Sequence, residues 1–193
     1  KAGFGWENGP FEIWDAIGVE KGIELMKAEG YQPASWVTDM VASGNTSFYS
    51  IKDGATHFYS ITNKKVEKIP GQDAFIILNN IRESKKIWNN SDSIITDLGD
   101  GIINLEFTSK MNSIGAGVLQ GINKAIDIAE KDYNGLVIGN QGANFSVGAN
   151  LGMIFMMAVE QEYDELNMAI KMFQDTMMRC RYSSIPVIAA PHG

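Results

Sequence analysis

Residues 141–152, QGANFSVGANLG, combine three glycines and two asparagines with no charged side chain. They lie between an apolar stretch, GLVIGN, and an apolar helical pattern that starts near Leu151. At the start of a helix the first backbone N–H groups have no acceptor within the helix, and the helix dipole places partial positive charge there. Amides of this kind stabilise an oxyanion, such as the oxygen of a carbonyl that becomes an enolate. An ordinary loop with glycines for tight packing explains the same composition, so both interpretations stay open.

A second glycine pattern, GAGVLQG, places Gly115, Gly117 and Gly121 before a helix, as in a dinucleotide-binding fingerprint. The preceding strand ends near Phe107, and a long polar loop follows where that fingerprint needs a tight turn. The next strand ends at Asn140 rather than at an acidic residue that could bind a ribose hydroxyl. A nucleotide-binding α/β protein is therefore kept only as a rival hypothesis.

The sulfur-containing residues are unevenly distributed. Seven of the ten methionines lie between Met153 and Met178. A flexible thioether lining suits an apolar chain such as an acyl group, but the helical spacing favours plain core packing. The single cysteine, Cys180, excludes an intramolecular disulfide and favours a reducing compartment. We interpret it as a small buried hydrophobic residue on a helix face.

The remaining polar candidates indicate structure rather than chemistry. His57 follows a turn and is expected to be exposed, whereas His192 is expected to position backbone beside the last strand. No spacing typical of metal ligands occurs, so no metal is predicted. Four acidic residues at a helix junction are interpreted as a solvated cluster: Glu160, Glu162, Asp164 and Glu165.

Composition limits the function classes. The 193 residues are 45% hydrophobic and carry a net charge of −7, with a pI near 4.8. The acidic balance argues against a nucleic-acid-binding protein, which needs basic surface to displace counterions. No apolar run reaches the roughly 18 residues that cross a bilayer. We therefore expect a cytoplasmic protein without a membrane partner. A start without methionine and a stop directly after an apolar strand favour a piece of a longer chain.

The first half of the sequence predicts small elements. Residues 1–50 have apolar positions and glycine stops typical of short helices. Two strand-like runs flank Asp53-Gly54, which predicts a hairpin. Residues 62–91 are polar and lysine-rich, and we interpret them as a connector with one buried segment.

The second half predicts alternating strands and helices. From residue 93 two strands form a hairpin, and a helix over 118–132, a strand over 135–140, two further helices and a buried strand over 185–190 follow. Asp164 is the predicted N-cap of the last helix. Strands that alternate with helices indicate an α/β fold in which parallel strands are covered on both sides.

Three segments of this half resemble motifs of the crotonase (enoyl-CoA hydratase/isomerase) superfamily. FSVGANL over 145–151 is similar to its F-x-x-G-A-D-[IL] motif, and IPVIAAPHG over 185–193 is similar to its P-V-I-A-A-v-n-G strand. LEFTSKMNSIG resembles its L-N-R-P-x-x-x-N-A-L segment, with Asn112 at the asparagine. The resemblance covers residues 93–193 and implies the N-terminal half of a ββα spiral around a parallel sheet.

The resemblance also implies a site. Members of the family bind acyl-CoA thioesters and stabilise a thioester enolate with two backbone amides, of which the Ala149 N–H would be the first. The family's aspartate after Gly-Ala is Asn150 here, so we expect altered local hydrogen bonding without loss of function. The second amide and the catalytic glutamates of the family follow the last matched motif, so we expect the chain alone to be inactive. Five residues would line the path of the CoA and its pantetheine arm: Lys110, Met111, Val147, Asn150 and Leu151.

The first half carries a separate resemblance. GFGWENGPFEIWDAIGV over 3–19 is similar to the C-terminal helical domain of 3-hydroxyacyl-CoA dehydrogenases. The two resemblances together imply part of a bifunctional 3-hydroxyacyl-CoA dehydrogenase/enoyl-CoA hydratase of fatty acid β-oxidation. Residues 1–52 would be dehydrogenase-like, 53–92 a connector with a hairpin, and 93–193 a truncated crotonase-like domain.

The implied cofactor is NAD, held by a dehydrogenase domain of the parent protein and not by this chain. The implied partners are an acyl-CoA substrate and the rest of the same polypeptide, and a homo-oligomer is left open. Two alternatives also stay open. One is an enoyl-CoA isomerase, and the other is a non-catalytic interaction module with residues 1–50 as its docking part.

Overall fold

The structure is a computed structural model that describes residues 3, 5–72 and 74–192. The chain forms two compact units, Lys1–Ile76 and Ile77–Gly193. The predicted division into family parts at residues 52 and 92 stays a prediction. None of the helices formed by the described residues is both long and apolar enough to cross a membrane.

The first unit contains three short helices and a three-stranded antiparallel sheet in the order β1-β2-β3. The predicted hairpin is confirmed, because Asp53 and Gly54 connect β1 to β2 with φ values of 53° and 74°. Positive φ at both central residues is what the favoured two-residue hairpin turn requires. The elements are α1 (Pro10–Ile17), α2 (Val19–Ala28), α3 (Ser35–Ala42), β1 (Tyr49–Lys52), β2 (Ala55–Ser60) and β3 (Lys65–Lys68).

This unit has a core of its own, formed by Val19, Ile23, Val37, Met40, Phe48 and Tyr59. The Asp15 carboxylate on α1 accepts hydrogen bonds from the backbone N–H groups of Phe48 (2.7 Å) and Tyr49 (2.9 Å). A side chain of α1 thereby positions the backbone at the start of β1. The prediction that His57 is exposed is wrong: it lies half-buried within β2, where the neighbouring strands shield it on both sides.

The second unit is built around a five-stranded sheet in the order β4-β5-β6-β7-β8. The first two strand pairs are antiparallel and the last two are parallel. Two antiparallel strands, a helix and a parallel strand follow one another, so the predicted α/β fold with a ββα unit is confirmed. The elements are α4 (Leu78–Ile81), β4 (Lys86–Asn89), β5 (Ser93–Gly99), β6 (Ile102–Phe107), α5 (Ala116–Asp132), β7 (Gly135–Ile138), α6 (Leu151–Val159), α7 (Tyr163–Tyr182) and β8 (Val187–Ala189).

Helix α5 covers the sheet. Its apolar positions recur every three or four residues and form one face, which packs on Ile95, Ile103 and Leu105 of the strands. Glycine is required where the helix approaches the strand most closely, because a Cβ at Gly117 or Gly121 would overlap the side chains of Asp92 or Ser93. These glycines therefore serve helix–sheet packing.

Two local predictions are wrong. The N-cap of α7 is Glu162, and Asp164 lies inside the first turn, where its negative charge is still favourable to the helix dipole. Strand β8 is present, but it lies at the edge of the sheet and is not buried, since Ile188 is 59% exposed. Residues 62–91, which we interpreted as a connector, contain the two strands β3 and β4.

Candidate functional site

Two stretches of backbone lie side by side at the end of the parallel strands. The first follows β6 and contains a 3₁₀ turn over Lys110–Asn112, and the second is the loop from β7 to α6. Ile114 forms an isolated parallel bridge with Ala149, and its N–H donates to the Gly148 carbonyl at 2.9 Å. The structure therefore brings together the two segments that the crotonase motifs indicated.

Side-chain amides hold the loop in place. The Asn112 side chain donates to Asn140 Oδ1 (3.1 Å) and to the Asn144 carbonyl (2.8 Å), and the Asn140 side chain donates to the Phe145 carbonyl (2.9 Å). The Phe145 N–H donates to the His192 carbonyl at 3.3 Å, and His192 Nε2 lies 3.4 Å from Asn140 Oδ1. These contacts agree with the backbone-positioning role predicted for His192.

The loop ends at the start of α6. The Asn150 side-chain oxygen accepts from the Met153 N–H at 3.2 Å and so caps the helix, as an aspartate at this position also would. Within the part of the chain that the structure describes, nothing accepts a hydrogen bond from the Ala149 N–H. An unpaired amide at an exposed helix start can bind a ligand oxygen.

An apolar cavity of about 380 Å³ opens beside this amide. Its lining includes the exposed residues Ala149 and Asn150 and the buried Leu119 of α5. Its wall contains no titratable side chain among the described residues. The other lining residues come from α5, α6, α7 and the turn before α5: Ile114, Gly115, Ala116, Met153, Ile154, Ala169, Ile170, Met172, Phe173 and Gln174.

Of the five predicted CoA-path residues, Asn150 lines the cavity, together with Ala149, the predicted oxyanion-binding residue. The others are exposed on the two neighbouring segments, with Met111 61%, Val147 48% and Leu151 75% accessible, and Lys110 exposed beside Met111. These four side chains do not line the cavity, and their exposure leaves them accessible to a ligand outside it.

The expectation that the methionines of the helical region pack in a core is wrong. Met153, Met156 and Met168 are 48%, 52% and 68% exposed. Met153 and Met172 line the cavity, so part of this soft lining faces an open apolar space. The helical spacing of these methionines predicted that they share a helix face, but it did not predict what that face contacts.

Several residues of the site escaped the sequence prediction. Gly115 and Ala116 belong to the pattern that mimics a nucleotide fingerprint, but they begin α5 and line the cavity. Leu119 was recognisable only as part of an apolar helix face. Ser146 and Asn140 carry no catalytic signature, and their hydrogen bonds to residues about 30 positions away are invisible to local patterns.

A second cleft, of about 290 Å³, lies on the other side of the same loop and is polar. In it Arg82 binds Glu106 with two hydrogen bonds of 2.7 and 3.2 Å. The Glu106 side chain is only 7% exposed, so the guanidinium compensates a buried carboxylate. We interpret this pair as structural. Among the described residues no group of three or more His, Cys, Asp and Glu side chains could hold a metal ion.

Comparison with curated proteins gives relatives along the whole chain. It is 44% identical over 194 residues to a Bacillus subtilis protein named "Probable 3-hydroxyacyl-CoA dehydrogenase", of which it covers 24%. It is 24% identical over 193 residues to a Rickettsia felis protein provisionally named a fatty acid oxidation complex trifunctional enzyme, again covering 24% of it. The chain thus spans about a quarter of the length of these two relatives. The resemblance to 3-hydroxyacyl-CoA dehydrogenases that the motifs indicated is confirmed by these names.

Solved structures similar to the chain include an enoyl-CoA hydratase from Polaromonas, with 24% identity and a TM-score of 0.48 over 52% of this chain and 40% of that one. An enoyl-CoA hydratase from Bacillus halodurans has 16% identity and a TM-score of 0.48 over 53% and 43% of the two chains. No family model matches the chain.

Proposed function

We propose that residues 77–193 form one side of an acyl-CoA thioester site in a fatty acid β-oxidation protein. In this proposal the Ala149 N–H binds the thioester oxygen and stabilises the negative charge that develops on it. The acyl chain enters the apolar cavity behind it. The parent protein would hydrate enoyl-CoA and oxidise 3-hydroxyacyl-CoA, and the name of the Bacillus subtilis relative is in keeping with the oxidation.

The observation that carries the proposal is a backbone amide that lacks an acceptor among the described residues and belongs to a residue lining an apolar cavity. The Ala149 N–H finds no acceptor among the described residues, and Ala149 itself lines the cavity. A preorganised amide of this type lowers the barrier of enolate-forming steps by about 3–4 kcal/mol in known enzymes. The cavity wall supplies no acid or base, so proton transfer would need a carboxylate from elsewhere in the protein.

The described residues do not fit a bound NAD. The glycine pattern that resembles a nucleotide fingerprint does not follow a tight turn, because a 3₁₀ turn and the bridge at Ile114 separate β6 from α5. The spaces beside Gly117 and Gly121 are filled by Asp92 and Ser93. We therefore place NAD in the dehydrogenase domain of the parent and route no step of this site through it.

The test is a titration followed by NMR. Crotonyl-CoA and butyryl-CoA added to the ¹⁵N-labelled chain are expected to shift the Ala149 amide proton downfield and to perturb Leu119 and Phe173, while NAD leaves Gly115–Gly121 unperturbed. Hydration of crotonyl-CoA is then assayed with the longest natural polypeptide that carries this chain.

The outcomes separate the hypotheses. Perturbation of Ala149 with measurable hydration supports the proposal. Perturbation with double-bond migration but no hydration supports an enoyl-CoA isomerase. If neither the chain nor the parent polypeptide binds a thioester, the result supports the interaction-module hypothesis. NAD-specific shifts at Gly115–Gly121 would support a nucleotide-binding protein instead.

A further inference from the structure

We propose that Ser146 is a positioning residue that holds the Ala149 N–H in its productive direction. The proposal rests on the thioester site described above. It starts from the Ser146 hydroxyl, which donates to the Asn112 carbonyl at 2.7 Å and accepts from the Gly148 N–H at 3.0 Å. One hydroxyl therefore connects the two backbone segments of the site.

Gly148 is held at both of its backbone polar groups. Its N–H binds the Ser146 hydroxyl, and its carbonyl accepts from the Ile114 N–H at 2.9 Å. The peptide bond that joins Gly148 to Ala149 is trans. In a trans peptide the C=O and the following N–H point in opposite directions. The direction of the Ala149 N–H is therefore set by the orientation of the Gly148 carbonyl and points away from Ile114.

Glycine alone would not keep this orientation. Gly148 has a φ of +84°, and glycine exchanges between positive and negative φ at little cost. The side chains of its neighbours add little packing, because Val147 is 48% exposed and Ala149 is exposed. The hydrogen bond from the Ile114 N–H fixes the plane of the Gly148–Ala149 peptide, and the Ser146 hydroxyl fixes the plane of the preceding Val147–Gly148 peptide. Together they restrain the φ and ψ of Gly148, which join the two planes, and only the bond to Ser146 depends on a side chain.

The hydroxyl is chemically required for this arrangement because it donates and accepts at the same time. Alanine at position 146 would remove both bonds and leave the Asn112 carbonyl and the Gly148 N–H without this partner. Threonine keeps both functions. A matched control is Ser183, whose hydroxyl also donates to a backbone carbonyl, that of Ile185 at 2.6 Å, at the end of α7.

The experiment compares Ser146→Ala, Ser146→Thr and Ser183→Ala with the wild type. In the 193-residue chain, S146A is expected to accelerate amide hydrogen exchange at Gly148 roughly fivefold and to shift the Ala149 amide resonance, with exchange in α5 unchanged. In the longest natural polypeptide that carries this chain, S146A is expected to lower kcat for crotonyl-CoA hydration roughly 10- to 100-fold, with KM nearly unchanged. S146T restores most of kcat, and S183A leaves it at the wild-type value.

A wild-type kcat in S146A would overturn the proposal even if Gly148 exchanged faster, because the hydroxyl would then have no effect on the reacting amide. A parallel loss of kcat in S183A would show that the effect is general destabilisation. Should the wild type bind no thioester, the proposed function fails by itself. Unchanged exchange at Gly148 and an unchanged Ala149 resonance in S146A would in that case refute the positioning role of Ser146 independently.

Discussion

Helix α5 and the helix pair α6–α7 both carry apolar faces but differ in what these faces contact. Seven residues of α5 are buried between the helix and the sheet. In α6 and α7, all of whose residues are described, only Thr176 is buried. Yet α6, LGMIFMMAV, contains only apolar side chains besides its glycine.

The difference shows that an apolar helix face predicts a need for a partner and not the partner itself. Residues of β5, β6 and β7 complete the core around α5. The helix pair α6–α7 instead borders the open cavity and presents Phe155, Met168 and Tyr182 at 67%, 68% and 70% exposure. Since hydrophobic stabilisation scales with the apolar area removed from water, the two regions should contribute very differently to stability.

The largest contrast is expected from one substitution made in both regions. Ile126 on α5 is fully buried, and Ile170 on α7 is 48% exposed. Ile126→Ala should lower the free energy of unfolding by about 2–5 kcal/mol, because it removes packed methyl groups and leaves a cavity. Ile170→Ala should change it by less than about 0.5 kcal/mol. Urea unfolding followed by the NMR signals of residues 77–193 measures both. Equal losses would show that the α7 face is covered in solution and would remove the contrast.

A second contrast compares two ion pairs. Arg82 pairs with the nearly buried Glu106, whereas Lys171 and Asp175 on α7 pair at 2.9 Å with side chains 74% and 63% exposed. Arg82→Met leaves a buried carboxylate unpaired and should cost somewhat less than the about 3–5 kcal/mol of a fully buried pair, because Arg82 is 31% exposed. Lys171→Met should cost at most about 0.5 kcal/mol. Thermal unfolding of the two variants tests this, and an Arg82→Met variant as stable as Lys171→Met would contradict it.

The single buried residue of α7 offers a smaller effect. Thr176 Oγ1 donates to the Met172 carbonyl and accepts from the Asn123 side chain of α5, both within 2.9 Å. Thr176→Val keeps the volume but removes both bonds, so it should destabilise by about 1–2 kcal/mol. Thr38→Val, which removes an exposed hydroxyl bond to Ser35 on α3, should change stability by less than about 0.5 kcal/mol. Urea midpoints of the two variants give the difference, and a smaller loss for Thr176→Val would contradict the link between α5 and α7.

The smallest effect concerns Cys180, near the C-terminal end of α7, which packs partly against the α5 core. Burial raises the pKa of its thiol, although its backbone hydrogen bond and Arg179 oppose that shift. A raised pKa leaves less reactive thiolate at neutral pH, so iodoacetamide should alkylate the folded chain more slowly than the urea-unfolded chain. The folded chain should also need a higher pH for half-maximal rate. Equal rates and equal pH profiles would show that this end of α7 is not packed.

Much of the fold was predictable because it depends on neighbours in sequence. The Asp53-Gly54 turn, the face of α5 and the order of elements from residue 93 follow from local conformational preferences and periodicity. Strands β3 and β4 were missed because they are short, lysine-containing edge strands with mostly exposed side chains. These two segments become strands because each pairs with an adjacent strand, and their own sequences lack an alternating apolar pattern.

The site was predictable only in part. The glycine-rich loop and its position before a helix identified Ala149 as the amide to examine. The sequence did not predict that Leu119 would line a cavity, or that the Ser146 hydroxyl would accept a hydrogen bond from the Gly148 N–H. Those features depend on side chains and backbone that meet across roughly 30 residues of chain.

The sequence alone determined where strands and helices alternate, where a glycine-rich loop would precede a helix, and which β-oxidation enzymes the chain resembles. Only the tertiary structure decided which apolar faces are buried, which amide of the loop has no acceptor among the described residues, and which groups bind the neighbouring peptides. Local propensity acts within a few residues, whereas burial and peptide orientation are set by contacts between distant segments, which exist only once the chain has folded.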